Sequence, residues 1–244
     1  MKKSLAEAFL IILLSFCIVF AEGVAAPVTI MQGTLFATDM YSIDSGKVGP
    51  TVVVVGGIHG DETAGILAAD ALTGLLPLKG RLVVIPRANR PACEGKVRTD
   101  YYMEDVNRSF PGDKGRGYSG YVAAMLTEAI AGYQPSIIID LHESRERYGE
   151  EATSLGQSLV LSEQEDCAGI VLDILDGLNE KVGEENEFTF ASGAPEGSLN
   201  RELSELLNIP AVTVETWSGQ DIDTRVSNHV STVRAILKYY GMLE

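Results

Sequence analysis

The chain has 244 residues, 45% of them hydrophobic and 22% charged, a composition suited to one globular domain of α/β type. Its 34 acidic and 19 basic residues give a formal charge of −15. That balance excludes a protein held to nucleic acid by electrostatics, and it makes clustered arginines conspicuous.

Met1, Lys2 and Lys3 precede an uncharged run at residues 9–21, "FLIILLSFCIVFA". The run is too short to span a bilayer comfortably and suits the apolar core of a secretory signal. Residues 1–21 are therefore predicted to be a signal peptide cut after Ala21, with Ala25 as a second candidate. If left uncut, they would form an N-terminal membrane anchor. Residues 22–244 are predicted to be a single domain, exported to the periplasm or the extracellular space. It keeps Cys93 and Cys167, read as two unrelated thiols because two cysteines make no disulfide framework.

Residues 28–38 read as extended. The aliphatic runs at 51–55, 82–85, 136–141 and 211–215 lack polar alternation, as central strands covered on both faces do. Helices are predicted at 63–76, 120–132, 163–182 and 198–207, and from about 223 to 240. Asp61, Asp221 and Asp223 are candidate acids for helix N-termini. Such an order predicts a mostly parallel, mixed central sheet with helices on both faces. Residues 87–119 break the pattern as a long loop holding Arg87, Arg90, Arg98, Arg108 and Arg116. Long ordered loops in compact domains are usually functional.

"GGIHGDETAG" follows the run at 51–55 and places His59 three residues before Glu62. Alone the pair is a weak signal, since Glu62 would also suit the positive end of a helix dipole. "IIIDLHES" adds His142 at the end of another buried run. Asp140 shares its face and either orients a ligand or caps the sheet edge. Two histidines and a glutamate, with a fourth position open to water, form a catalytic zinc set. "AVTVETW" ends a third buried run with Glu215, a candidate general base. "EDVNRSFPG" sets Asn107 beside Arg108, an amide donor next to a planar fork for a carboxylate. His229 reads as a packing histidine. Trp217 either lines the cleft or packs below it, and Tyr118 and Tyr121 are possible pocket residues. The spacing of Gly56, Gly57 and Gly60 fits neither a dinucleotide fingerprint nor a P-loop.

Taken together, "GGIHGDETAG", "EDVNRSFPG", "IIIDLHES" and "GSLNRELSELLNIPAVTVET" resemble the M14-type zinc carboxypeptidase superfamily, in its succinylglutamate desuccinylase/aspartoacylase branch. The resemblance covers roughly residues 51–217. It implies one zinc ion per chain held by His59, Glu62 and His142. It also implies Asn107 and Arg108 as the clamp for a substrate carboxylate, and Glu215 as general acid/base. Arg98 would polarise the scissile carbonyl, with Arg87 and Arg90 as rivals. The implied activity is amide hydrolysis by a metal-bound water on a carboxylate-bearing acyl amino acid or peptide, as in a deacylase or carboxypeptidase. The alternative is a non-catalytic module of the same fold that binds peptides or cell-wall fragments. Acyl-aspartate or succinylglutamate specificity is not carried over. Arg201, the residue nearest the arginine that reads a second carboxylate, is out of register, and only one helix follows Glu215.

Overall fold

A computed structural model describes residues 26–99, 104–151, 154–180 and 182–244. The predicted signal or anchor segment, residues 1–21, lies outside the described residues. The strands are β1 (Val28–Ile30), β2 (Thr38–Asp44), β3 (Thr51–Gly56), β4 (Arg81–Ile85), β5 (Ile137–Ser144), β6 (Ser158–Leu161), β7 (Thr189–Ser192) and β8 (Ala211–Trp217). The helices are α1 (Thr63–Leu72), α2 (Arg90–Gly95), α3 (Gly117–Ala131), α4 (Glu165–Asn179), α5 (Leu199–Leu207) and α6 (Ile222–Tyr239).

One sheet takes the order β1-β2-β4-β3-β5-β8-β6-β7. Its centre, β4-β3-β5-β8, is wholly parallel, while β2 and β6 flank it antiparallel. The aliphatic runs predicted as central strands are these four, and their lack of alternation has a plain cause. Val52 and Val54 of β3 pack with Ile139 and Leu141 into one core, beneath α1, α4 and α6. Val53 and Val55 pack with Ile138 into the other, beneath α3 and α5. Both faces are covered, so aliphatic residues follow one another without polar alternation, broken only toward the carboxyl ends by Asp140 and Thr213.

The chain runs from β3 through α1 to β4 on one side, then returns past α3 to β5 on the other side of β3. The strand order therefore reverses between β3 and β5. Open α/β sheets bind ligands outside the carboxyl ends of their strands at such a point.

Several boundaries differ from the sequence reading. Residues 28–38 are not one extended segment: β1 stops at Ile30, and a turn leads to β2. β2 and the short strands β6 and β7 were not predicted. β6 has only four residues, "SLVL", all buried. Among its described residues, the predicted loop at 87–119 holds α2 and a 3-10 turn, Val106–Arg108, and its end forms the start of α3. α1 and α4 are shorter than predicted.

Candidate metal centre and catalytic cavity

The loop after β3 is shaped by its glycines. Gly57 takes a positive φ of 70°, a region that L side chains avoid. Its carbonyl and that of Gly56 accept the amides of Asn89 and Ala88, each at 2.9 Å. A Cβ on Gly60 would lie 2.0 Å from the backbone of Ala92, so α2 packs directly on the loop. His59 is thereby held against the sheet. Glu62 occupies the N-cap position of α1 yet makes no capping bond; its carboxylate turns toward the site.

His59, Glu62 and His142 are 3%, 6% and 2% exposed. His59 Nδ1 lies 2.7 Å from Glu62 Oε1, and His142 Nδ1 lies 2.8 Å from Glu62 Oε2. The two Nδ1 atoms are 3.1 Å apart. Each imidazole turns its other nitrogen to a carboxylate: His59 Nε2 is 3.1 Å from Asp105 Oδ1, and His142 Nε2 is 2.8 Å from Asp140 Oδ2. Carboxylates in that position fix ring orientation and raise ligand basicity in metal sites. One donor atom from each of the three residues falls within 4.8 Å of the others. Two inward-facing imidazoles and a carboxylate fit a divalent cation.

The charges reinforce that fit. Burial opposes ionisation of Glu62, but His142 and His59 outweigh it and hold its carboxyl well below the usual range. Burial likewise disfavours a charged His142, yet Asp140 and Glu62 raise it well above 6.5.

A cavity of about 540 Å³ opens over these residues and is also lined by Arg98, Asn107, Arg108 and Glu215. The β5–β8 register sets Glu215 opposite His142. Burial pushes the Glu215 carboxyl up to about 7; His142 opposes the shift and Glu62 adds to it. Glu215 is half-buried and lines the cavity, and its carboxylate makes no hydrogen bond with the described residues.

Asn107 is fixed by its surroundings. Its backbone amide donates to Asp105 Oδ1 at 2.8 Å, and its Oδ1 accepts the Leu199 amide of α5 at 2.9 Å. Its Nδ2 lies 3.3 Å from His142 Nε2. Arg108 donates to the Asn107 carbonyl at 2.7 Å and is exposed. Arg98 reaches Glu62 Oε1 at 3.4 Å and Asp105 Oδ2 at 3.1 Å. Its rivals are engaged elsewhere, Arg87 with Asp70 and Arg90 with Glu94.

Other candidates stay outside the cavity. Tyr118 and Tyr121 gather around Phe36, at centroid distances of 5.4 and 6.1 Å. Trp217 donates its indole N–H to the Arg145 carbonyl at 3.1 Å, with the Arg147 guanidinium 4.0 Å from its ring centroid, which is a packing role. His229 is fully buried 3.1 Å from Thr216 Oγ1, and burial pushes it down to about 3. Arg201 pairs with Glu205 along α5. Cys93 and Cys167 are both free thiols. No helix among the described residues is long and apolar enough to cross a membrane. Sequence reasoning missed the role of Asp105 on His59; its one local signal is its place two residues before Asn107.

The model of the succinylglutamate desuccinylase/aspartoacylase catalytic domain matches residues 48–239. N-alpha-acetyl-L-2,4-diaminobutyric acid deacetylase of Halomonas elongata is 36% identical over 98 residues, covering 38% of this chain and 28% of the relative. Succinylglutamate desuccinylase of Burkholderia orbicola is 45% identical over 67 residues, 25% of this chain and 19% of the relative. Product-bound Csd4 of Helicobacter pylori, a cell shape determinant and D,L-carboxypeptidase, matches with a TM-score of 0.75 and 17% identity, over 84% of this chain and 56% of that one. The chain thus spans less than a third of these curated relatives and little more than half of the structural one.

Proposed function

The chain belongs to the succinylglutamate desuccinylase/aspartoacylase catalytic-domain family, and from that premise we propose that it is a zinc-dependent hydrolase of amide bonds on small substrates bearing a free carboxylate. Deacylase and carboxypeptidase relatives support amide hydrolysis as the reaction type. The finer reading rests on one observation: two imidazoles, their carboxylate partner and a half-buried Glu215 share one cavity at the reversal of strand order.

His59 and His142, through Nδ1, and Glu62 would hold the ion. A divalent cation there supplies Lewis acidity to an amide carbonyl and to water. Glu215 takes a proton from the attacking water and returns it to the amine nitrogen as the C–N bond breaks. A carboxyl poised near neutrality suits both halves of that transfer. Arg98 lines the cavity from the Glu62 side and balances charge growing on the carbonyl oxygen, an effect on the order of 3–4 kcal/mol for one well-placed donor. Arg108 grips the substrate carboxylate through its guanidinium fork, with Asn107 Nδ2 beside it, which fixes the amide over the ligands.

Acyl amino acids and short peptides, including cell-wall peptides, are the substrate classes that fit. The export signal predicted for residues 1–21 puts the activity outside the cytoplasm. The test is an assay of the purified protein against N-acyl amino acids and short peptides with and without chelator. Hydrolysis that stops on chelation and returns with zinc supports the reading. Hydrolysis indifferent to chelation overturns it.

A further inference from the structure

Behind the ligand residues lies a buried charge pair, Glu143 with Arg225, that the hydrolysis leaves unused. β5 and β8 pair His142 with Glu215 and, one step on, Glu143 with Thr216. Successive side chains alternate across a strand. His142 and Glu215 face the cavity; Glu143 also borders it, but its carboxylate engages α1 and α6, the layer that Thr216 faces.

There the Glu143 side chain, 4% exposed, pairs with Arg225 of α6, which is 17% exposed. Its second oxygen accepts the amide of Ala64, in the first turn of α1, at 2.8 Å. The backbone N–H of Glu143 donates to Glu62 Oε2 at 3.0 Å. One residue thus holds the ligand carboxylate with its amide and the start of the ligand's helix with its side chain. One turn along α6, His229 reaches Thr216, the neighbour of Glu215. The same helix touches the residue after His142 and the residue after Glu215.

Docking a helix does not require this arrangement. Apolar residues in place of a buried ion pair are often as stable or more so, whereas removing one partner is costly. Here Arg225 Nε is also buried without a partner among the described residues, a further cost. The contacts that offset it converge on Glu62.

We propose that Glu143 and Arg225 form a positioning pair that holds Glu62 in its ligating orientation and so sets the affinity of the centre for its cation. The inference rests on His59, Glu62 and His142 being the ligands.

Zinc affinity measured by chelator competition tests it. Arg225→Met and Glu143→Gln are each expected to weaken binding about 10- to 100-fold, as loss of outer ligand support does. The double variant should lose little more than either single change, because both break one contact. Arg225→Lys should recover most of the affinity. Arg81→Met, which breaks a surface pair with Asp44, should leave affinity unchanged. In the cobalt-substituted protein, the visible spectrum should shift in Arg225→Met and Glu143→Gln but not in Arg81→Met, a signature that lost stability alone would not move. Folded variants with wild-type zinc affinity and cobalt spectra overturn the proposal. If Arg225→Met does not fold, the nearly isosteric Glu143→Gln decides. A wild-type protein that binds no zinc would instead overturn the ligand assignment, and the positioning role with it.

Discussion

Glu62 and Glu215 share a cavity and are driven in opposite directions. Adjacent imidazoles keep Glu62 ionised despite its burial, and burial brings Glu215 to about 7. Two carboxylates with separated proton affinities suit the proposed division into ligand and proton carrier. Glu215→Gln is therefore expected to keep its metal and lose about 10²- to 10⁴-fold in kcat, read by kinetics and metal analysis on one sample. The base works deprotonated, so kcat/KM should rise with pH through an acid limb that belongs to Glu215. A bound dication favours the carboxylate, so that limb should fall below 7. Acid should also release the metal, because His142, raised by Asp140 and Glu62, then takes a proton in its place; equilibrium dialysis at graded pH reads this. Asp105→Ala should weaken metal binding about 10- to 100-fold by freeing the His59 ring. His59, Glu62, His142 and Glu215 were legible in the sequence because each is a polar residue set at or just beyond the end of an apolar run. Asp105 and Arg225 were not. They act on His59 and Glu143, which lie 46 and 82 positions away, and no local pattern records such contacts.

The candidate site is made by strand ends and by the loop that follows β3. Pairing of β5 with β8 fixes which side chains meet above the sheet; a one-residue slip would turn Glu215 away from His142. The loop depends on Gly60, where an added methyl would meet the Ala92 backbone at 2.0 Å. Gly60→Ala should push α2 off the loop, cost about 1–3 kcal/mol in denaturant unfolding, and weaken metal binding because His59 moves with it. An unchanged zinc affinity in that variant would show that α2 does not set the position of His59. The four central strands were readable because burial on both faces leaves unbroken aliphatic runs. β2, "TDMYSID", pairs antiparallel near the sheet edge and mixes polar with apolar residues, while β6 and β7 are four residues each. Segments that short lack the window in which a period can be recognised. α2 was hidden for the same reason, six residues within an arginine-rich loop.

At the scale of the molecule, the fold brings residues 59 and 62, 107, 142 and 215 from four separate parts of the chain to one rim. Against a net charge of −15, the arginines of that rim would be the local attraction for the carboxylate-bearing substrate proposed above. The export proposed here predicts that protein recovered from outside the cytoplasm begins at Glu22; N-terminal sequencing that returns residue 1 instead would show an uncleaved segment. The metal centre is tested most directly by elemental analysis of purified protein, wild type beside His142→Ala. One equivalent of zinc per wild-type chain, lost in the folded variant, is the expected result. Wild-type protein without stoichiometric metal, or a variant that retains it in full, would contradict the assignment.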